Sequence, residues 1–359
     1  MREYWQRRPL LIRSAFPGFA PPIGKSRLFE LAQDPQAESR LVTSFDRRRT
    51  LKHGPFLRLP PIARRQWTLL VQGVDLLDDS ARSFLSRFRF IPDARLDDLM
   101  VSFATDGGGV GPHVDSYDVF LLQAWGRRRW RLSRQKNLRA QPGSPINVVE
   151  GFRASSEWVL EPGDMLYLPP GVAHEGTAIG ECITYSVGFR APSYRHLLEP
   201  WFADYAEQAD PRGRYHDTGA AATARPAALP SRMTHQIHHE LARYKPDRGD
   251  TERFLLRHLS EPKATTVFEA PRVPLSPTHF RRRAGLHGIG LDRRTRVLYS
   301  NAALAINGEW TRPPPGASTT LKTLADQRVL SGVQAGRAPP SVWPLLCDWY
   351  NAGWIVLVD

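Results

Sequence analysis

The chain has 359 residues, of which 41% are hydrophobic and 24% charged, and its net charge is +13. This length suffices for two to three domains with cores of their own. Apolar runs such as VFLLQAW at 119–125 are too short to cross a bilayer, so the sequence predicts no membrane-spanning segment. The excess charge favours contact with polyanions such as RNA or DNA, but it names no partner.

The first residues of the chain are basic, but the apolar part of this segment is limited to PLLI at 9–12. That run is too short for the apolar core of a signal peptide. The two cysteines, Cys182 and Cys347, lie far apart in the sequence and do not suggest a disulfide framework. We therefore expect a cytoplasmic protein.

The first 90 residues or so mix a short strand at 9–13 with helical stretches at 25–34 and 78–88. From Leu99 the pattern changes to short strands rich in Val, Ile, Thr and aromatic residues, separated by Gly or Pro turns. These strands are LMVSFAT, YDVFLLQAW, RRRWRLS, EWVLEPGDMLYLPP and CITYSVGFR. Many short strands at this spacing are typical of a β-sandwich or small barrel.

Beyond the β block, apolar spacing predicts helices at 195–209, 233–244 and 250–262, and the Ala-, Gly- and Pro-rich segment 210–230 is predicted to be a flexible loop. Such small helices must bury their apolar faces elsewhere, which suggests a docking or dimerisation module. The last 80 or so residues alternate strands and helices, and this order fits a small winged-helix-like domain. We expect three domains, at 1–197, 198–265 and 266–359.

The stretch GGGVGPHVDSYDVF at 107–120 places His113 and Asp115 two positions apart behind a run of glycines. With 11 histidines in the chain, one His-x-acid pair is expected by chance, and a second occurs at His238 and Glu240. On a strand, residues two apart point the same way and can share one ion, whereas in a helix this spacing separates them around the axis. The geometry favours the first pair, although an ordinary glycine-rich hairpin remains the alternative.

A third candidate ligand is His174, which follows two turns in EPGDMLYLPPGVAHEG and opens the next predicted strand. Two histidines and one carboxylate on a rigid β scaffold form the ligand set of non-haem Fe(II) oxygenases, which leaves coordination positions open. A structural zinc site would need four ligands, and no cysteine lies nearby in the sequence.

An oxygenase of this type that uses 2-oxoglutarate needs an inward-facing cation for the far carboxylate of that cosubstrate. If Trp130 and Leu132 in GRRRWRLS face the interior, strand alternation puts Arg128 with them and sends the other three arginines of the run outward. A buried guanidinium implies an anionic ligand or partner. Ser102 on the preceding strand could add a hydroxyl donor, or it could be an ordinary small residue of a strand.

These residues resemble a known family. GGGVGPHVDSYDVFLLQAWGRRRWRL, PGDMLYLPPGVAHEG and YSVGFRAPS are similar to segments of the bacterial ribosomal oxygenases of the JmjC class, and YWQRRPLLIRSAFPG is similar to their amino-terminal segment. The resemblance covers residues 3–200 with specific motifs. Beyond them it rests on the order of domains: a JmjC double-stranded β-helix (cupin) barrel, a helical dimerisation region and a winged-helix domain, an α+β architecture.

The resemblance implies that His113, Asp115 and His174 bind Fe(II) and that Arg128 and Ser102 bind 2-oxoglutarate, with O2 as the second cosubstrate. The reaction it implies is hydroxylation of the β-carbon of an arginine in the sixteenth large-subunit ribosomal protein, by a cytoplasmic homodimer. We further predict that Asp106, in the loop before the ligands, pairs with the substrate guanidinium.

Two alternatives remain open from the sequence. One is another JmjC reaction, such as demethylation, or hydroxylation of a different protein residue. The other is a non-catalytic metal-binding cupin that regulates nucleic acid through HFRRR at 279–283 and DRRTR at 292–296. No aromatic stacking pattern accompanies these basic runs. The three candidate metal ligands together with the inward Arg128 favour catalysis over that regulator.

Overall fold

The computed structural model describes residues 2–45, 48–136, 138–142, 146, 148–222 and 225–358. The amino-terminal part is built on a ten-stranded sheet. Its helices and strands are β1 (Leu10–Ile12), α1 (Lys25–Leu31), β2 (Glu38–Phe45), β3 (Arg48–His53), β4 (Trp67–Gln72), α2 (Asp79–Ser86), β5 (Leu96–Ala104), β6 (His113–Val114), β7 (Asp118–Ser133), β8 (Ser156–Leu160), β9 (Met165–Leu168) and β10 (Ala173–Phe189).

The strands of this sheet follow the order β1-β9-β7-β10-β5-β4-β2-β3, with β6 paired to β10 and β8 paired to β7. All of these pairings are antiparallel. The apolar core includes Trp67, Phe103 and Tyr185, which are fully buried. Strands distant in sequence thus become neighbours around one interior, which is the predicted cupin-like β architecture.

Gly126 explains one difference from the predicted strands. The sequence pattern predicts two strands that meet at this glycine, but β7 runs through it as one long strand. Gly126 has a φ of 64°, and a Cβ atom there would lie 2.1 Å from the carbonyl oxygen of Glu181. The register with β10 shifts between Ile179 and Cys182, so the glycine marks a bulge inside a continuous strand.

The sequence pattern does not predict β2, β3 and β4, although they form three adjacent strands of the sheet. The sequence of β2, ESRLVTSF, contains few apolar residues. Arg40 and Val42 of this strand line a cavity that also contains polar side chains. Both faces of β2 mix polar and apolar residues, so the strand lacks the alternation by which strands are recognised.

The carboxy-terminal part contains helices and two three-stranded sheets. Phe280, Leu321 and Trp343 belong to its own buried core. Its elements are α3 (Tyr194–Ala209), α4 (Ser231–Leu241), α5 (Arg248–Ser260), α6 (Pro277–His287), β11 (Ile289–Leu291), β12 (Val297–Tyr299), β13 (Leu304–Ile306), β14 (Glu309–Thr311), α7 (Ser318–Gln327), β15 (Val329–Leu330), α8 (Gly332–Gly336), α9 (Trp343–Asn351) and β16 (Ile355–Leu357).

The predicted helices after the barrel are confirmed as α3, α4 and α5. The predicted loop 210–230 contains no helix or strand before Ser231 in its described part, and residues 223 and 224 lie outside the described residues. Helix α5 belongs to the predicted helical region, but it contacts β12, β13 and β14 of the predicted winged-helix-like domain. The predicted domain boundaries therefore stay a prediction. In the described ranges, no helix has both the length and the apolar character needed to span a membrane.

The sequence pattern also misses α6, which lies where a proline-rich joint is predicted. Pro277 occupies the start of this helix, and the Ser276 hydroxyl accepts a hydrogen bond from the His279 N–H at 3.4 Å. A serine cap followed by proline is a helix-start signal. The prolines just upstream of Ser276 favour a loop, so the sequence pattern predicts a joint there and not the start of a helix.

Candidate metal centre and cosubstrate cavity

The glycine-rich loop before β6 lies directly against β10. A Cβ atom at Gly109 would lie 2.3 Å from the carbonyl oxygen of Gly176, so only glycine permits this approach. Two backbone hydrogen bonds between the loop and Ala178, at 3.0 and 2.9 Å, hold it in place. As a result β6 pairs with β10, and His113 lies opposite His174.

His113, Asp115 and His174 form one cluster, in which one ligand atom from each residue lies within 4.8 Å of the others. The Asp115 Oδ2 atom is 3.9 Å from His113 Nε2 and 3.6 Å from His174 Nε2. The centres of the two imidazole rings are 4.3 Å apart. The three donor atoms are thus close enough to share a single ion.

A backbone carbonyl fixes the orientation of each imidazole. His113 Nδ1 donates to the carbonyl oxygen of Gly111, and His174 Nδ1 donates to that of Val172, both at 2.9 Å. A carbonyl oxygen only accepts hydrogen bonds, so Nδ1 carries the proton and Nε2 presents its lone pair. Such partners commonly hold metal-binding histidines, and the sequence pattern did not reveal these two.

The electrostatic environment suits metal binding. Burial, and after it the charge of His113, lowers the pKa of His174 to about 3, so this imidazole is neutral at neutral pH. Burial raises the pKa of Asp115, although His113 and a hydrogen bond from Tyr117 partly oppose the shift. A carboxylate whose charge is penalised by burial gains stability from a nearby cation.

The donor set fits Fe(II). Two imidazoles and one carboxylate on rigid strands are the ligands of non-haem iron oxygenases, which leave positions open for other ligands. In the described part of the chain, no cysteine and no fourth acidic or imidazole group joins this cluster. A structural zinc site would use four protein ligands.

A cavity of about 380 Å³ is lined by the three clustered residues and by neighbouring strands. One face of β5 contributes Asp98, Met100 and Ser102, at the alternating positions that share a face of a strand. From β7 come Arg128 and Trp130. The two residues predicted to bind the cosubstrate therefore share one cavity with the candidate metal ligands.

Arg128 faces the interior, as strand alternation predicts, and it is only 5% exposed, whereas Arg127 and Arg129 are exposed. Its Nε and Nη2 atoms are buried and have no hydrogen-bond partner among the described residues. Its guanidinium lies 5.8 Å from the centre of the Trp130 ring. A buried, unpaired guanidinium is costly, and a carboxylate that binds it in a bidentate manner would offset that cost. This fits 2-oxoglutarate.

Ser102 and Thr68 place two hydroxyl groups on the wall of the same cavity. Ser102 is 3% exposed, and its hydroxyl makes only a long hydrogen bond, 3.4 Å, to the carbonyl oxygen of Thr184. The Thr68 hydroxyl is buried without a partner in the described part of the chain. Thr68 lies on β4, a strand that the sequence pattern does not predict, and so it was missed as a candidate.

Asp106 does not line this cavity. Its carboxylate pairs with Arg65 and accepts a hydrogen bond from the Gly180 N–H at 2.8 Å. The contact of Asp106 with substrate stays a prediction. The carboxylates that line the cavity in addition to that of the metal cluster are those of Asp97 and Asp98. Two adjacent acidic residues in the mostly apolar strand β5 are a sequence signal that could have identified both as site residues.

The second His-x-acid pair lies on α4, as the helical pattern predicts. His238 is exposed, and neither it nor Glu240 belongs to a metal-like cluster of described residues. The two His-x-acid pairs have the same spacing in the sequence. Within the described part of the chain, only the pair that begins on a strand contributes to a metal-like cluster, and the pair on a helix does not.

An antiparallel cupin barrel that brings a His-Asp-His cluster and an unpaired arginine into one cavity is the arrangement expected of a non-haem iron oxygenase. Comparison with known proteins agrees. Residues 83–197 match the JmjC domain family, and residues 239–355 match the ROXA-like winged helix family. Residues 153–255 also match the AraC-like ligand binding domain family, a range that includes strands β8 to β10 of the barrel.

The ribosomal protein uL16 3-hydroxylase of Escherichia coli K12 is 42% identical over 236 residues, which are 65% of this chain and 63% of that protein. The X-ray structure of E. coli YcfD aligns with a TM-score of 0.88 at 32% identity and covers 99% of this chain and 96% of the other. The structure of YcfD, a ribosomal oxygenase, with cobalt and 2-oxoglutarate aligns over 100% and 97% with a TM-score of 0.85 and the same 32% identity. The chain belongs to the JmjC ribosomal oxygenases.

Proposed function

We propose that this chain is an Fe(II)- and 2-oxoglutarate-dependent oxygenase that hydroxylates the β-carbon of an arginine in ribosomal protein uL16. The observation that carries the proposal is the shared cavity of the His-Asp-His cluster and the unpaired Arg128. The structural similarity to a ribosomal oxygenase with cobalt and 2-oxoglutarate supports the same pair of ligands.

Each residue has a defined task in this scheme. His113, Asp115 and His174 would hold Fe(II), which when bound supplies the activation of O2 that couples 2-oxoglutarate oxidation to hydroxylation. Arg128, with Ser102, would bind the far carboxylate of 2-oxoglutarate and so orient its oxo-acid end towards the ligand cluster. The protein otherwise excludes water and holds the substrate carbon close to the site of oxidation.

The wall of the cavity suits a cationic substrate side chain. Asp97 and Asp98 place two carboxylates there, and Tyr117 adds a ring that is 40% exposed. An arginine side chain carries a planar guanidinium for the carboxylates and an apolar stem for the ring. The name of the relative from E. coli supplies the choice of uL16.

The proposal is tested by incubating the protein with Fe(II), 2-oxoglutarate and a uL16 peptide that contains the arginine, and measuring succinate and peptide mass. We expect succinate in step with peptide oxygenation, loss of both in His113→Ala, and wild-type activity in the matched control His238→Ala on the exposed face of α4. No turnover by the wild-type protein, or unchanged turnover by His113→Ala, would overturn it. Succinate with a histidine or methyl-lysine peptide instead would favour another JmjC reaction.

Of the two basic runs proposed to contact nucleic acid, the one at 292–296 makes hydrogen bonds within the protein instead. Arg293 and Arg294 donate to the carbonyl oxygen of Leu76 at 3.0 and 3.4 Å, and Arg296 donates to that of Asp97 at 2.8 Å. These arginines therefore tie the carboxy-terminal part to the barrel. The arginines at 281–283 in α6 are exposed, and direct contact with nucleic acid stays a prediction.

We also infer a cytoplasmic homodimer. Tyr194, Leu198 and Phe202 follow one another at four-residue spacing on α3 and are 91%, 52% and 50% exposed. Such an apolar stripe on one helix face suits contact with a second copy. Sedimentation should give twice the mass of one chain for the wild type and a monomer for Leu198→Glu, and a monomeric wild type would contradict the inference. The cytoplasm is where a ribosomal-protein substrate is made.

A further inference from the structure

Asp98 is a buried carboxylate on the wall of the candidate active site. It lies on the face of β5 that also carries Met100 and Ser102, and all three line the cavity. Ser102 lies four positions further along β5, which corresponds to about 13 Å along a strand. Asp98 thus lies at a distance from the predicted cosubstrate position, on the part of the wall that remains for the substrate.

The Asp98 carboxylate is held from two directions. Gln72 Nε2 donates to its Oδ1 and Oδ2 atoms at 3.0 and 2.8 Å, from the neighbouring strand β4. Lys263 Nζ donates to Oδ2 at 2.6 Å. Lys263 belongs to the segment after α5, outside the barrel, and it does not line the cavity. Asp98 therefore stands between the cavity and a cation that the carboxy-terminal part supplies.

Lys263 and Asp98 form an ion pair that is largely shielded from water, with side-chain exposures of 28% and 3%. Burial alone would lower the pKa of Lys263, but the charge of Asp98 and the hydrogen bond to it raise that pKa. A buried carboxylate that loses its counter-ion takes up a proton or turns towards another donor. Either change would remove a fixed acceptor from the wall of the cavity.

We propose that Lys263 is a positioning residue for substrate binding: it fixes the Asp98 carboxylate so that this group can accept a hydrogen bond from the substrate guanidinium. The inference rests on the proposed function, since it assumes a cationic substrate side chain. It assigns to the segment between α5 and α6 an indirect part in substrate affinity, because Lys263 does not line the cavity and acts through Asp98.

Asp97 is held in a similar manner and strengthens the case. Arg190 Nε donates to its Oδ1 atom at 3.1 Å, and Arg296 Nη2 donates to its carbonyl oxygen at 2.8 Å. Arg296 lies next to β12, in the carboxy-terminal part. Each of the two adjacent carboxylates of the cavity wall is thus paired with a cation, Asp97 with Arg190 directly after β10 and Asp98 with Lys263 from the carboxy-terminal part. The contact of Lys263 is the shorter of the two, and Asp98 is the more deeply buried carboxylate.

The test compares Lys263→Met and Lys263→Arg with wild type, with Lys245→Met as the matched control because Lys245 is an exposed lysine of the same region. For Lys263→Met we expect KM and the calorimetric Kd for the uL16 peptide to rise about tenfold, as expected when one partner of a buried pair is removed. We expect unchanged kcat and unchanged peptide-independent turnover of 2-oxoglutarate. Lys263→Arg should recover most of the affinity, and Lys245→Met should behave as wild type.

A double-mutant cycle separates positioning from general support of the fold. In the Asp98→Asn background, Lys263→Met should weaken peptide binding by less than about twofold, because the lysine acts only through the carboxylate. Unchanged peptide affinity in Lys263→Met would overturn the positioning role, as would a parallel fall in peptide-independent turnover. A wild-type protein that binds the peptide without oxygenating it would overturn the proposed function instead, and the calorimetric series would still decide the role of Lys263.

Discussion

Arg128 and Arg294 are buried to nearly the same extent, with exposures of 5% and 8%, yet their guanidinium groups have opposite surroundings. In the carboxy-terminal part, all three guanidinium nitrogens of Arg294 are engaged, by the carbonyl oxygens of Leu76 and Val267 and by the carboxylate of Glu269. In the barrel, Nε and Nη2 of Arg128 find no partner among the described residues.

The buried charge of Arg294 therefore serves the fold, whereas that of Arg128 is available to a ligand. A guanidinium with all its nitrogens engaged stabilises the packing of the elements that it joins. One left unpaired in a closed site costs free energy until an anion binds it. The same substitution at the two positions should therefore have opposite consequences.

The largest expected effect is that of Arg128→Met on cosubstrate affinity. Loss of a bidentate, charge-assisted contact should raise the KM for 2-oxoglutarate about 100-fold. It should also abolish the stabilisation against heat that 2-oxoglutarate confers on the wild-type protein. Steady-state kinetics and thermal unfolding with and without 2-oxoglutarate measure the two effects.

Two further variants serve as controls for that substitution. Arg127→Met removes an exposed neighbour and should leave the KM for 2-oxoglutarate at its wild-type value. Arg128→Lys retains the charge without the planar fork and should give an intermediate KM. Without ligand, Arg128→Met should be at least as stable as wild type, and a clear loss of stability would remove the distinction between the two arginines.

The next largest effect is that of Arg294→Met on the fold. Loss of its contacts to Leu76, Val267 and Glu269 should lower the free energy of unfolding by about 2 kcal/mol. Urea denaturation followed by fluorescence measures this change. The KM for 2-oxoglutarate should remain unchanged below the unfolding transition. An Arg294→Met protein with wild-type stability would show that the engaged guanidinium does not hold the two parts together.

The smallest effect is expected from Ser102→Ala. Removal of a single neutral hydroxyl donor should raise the KM for 2-oxoglutarate about fivefold, since one such hydrogen bond contributes about 1 kcal/mol. Thr68→Val in parallel would show whether the unpaired hydroxyl on β4 shares this task. A Ser102→Ala enzyme with unchanged KM would show that the Ser102 hydroxyl does not contribute to 2-oxoglutarate affinity.

The candidate site was more predictable than the fold that surrounds it. Strand alternation alone was enough to place His113 and Asp115 on one side and Arg128 inward, because a period of two is robust to errors in strand ends. The position of His174 followed from the turns before it. The loop glycines have a structural reason that the sequence only suggested, which is the close approach of Gly109 to β10.

The missed features share a physical cause. Arg40, Thr68 and Gln72 line the cavity from β2 and β4, which take their places through pairing with strands distant in sequence. The contact between Lys263 and Asp98 joins residues 165 positions apart. Only the packing of the carboxy-terminal part on the barrel brings such residues together, and no local pattern records it.

If the unpaired arginine and the three-ligand cluster serve arginine hydroxylation in uL16, the product should be present in cells. Mass spectrometry of uL16 from cells with this gene should show one added oxygen atom on a single arginine. The oxygen should be absent without the gene, return with the wild-type gene and stay absent with His113→Ala. Identical uL16 masses with and without the gene would show that this protein does not hydroxylate uL16.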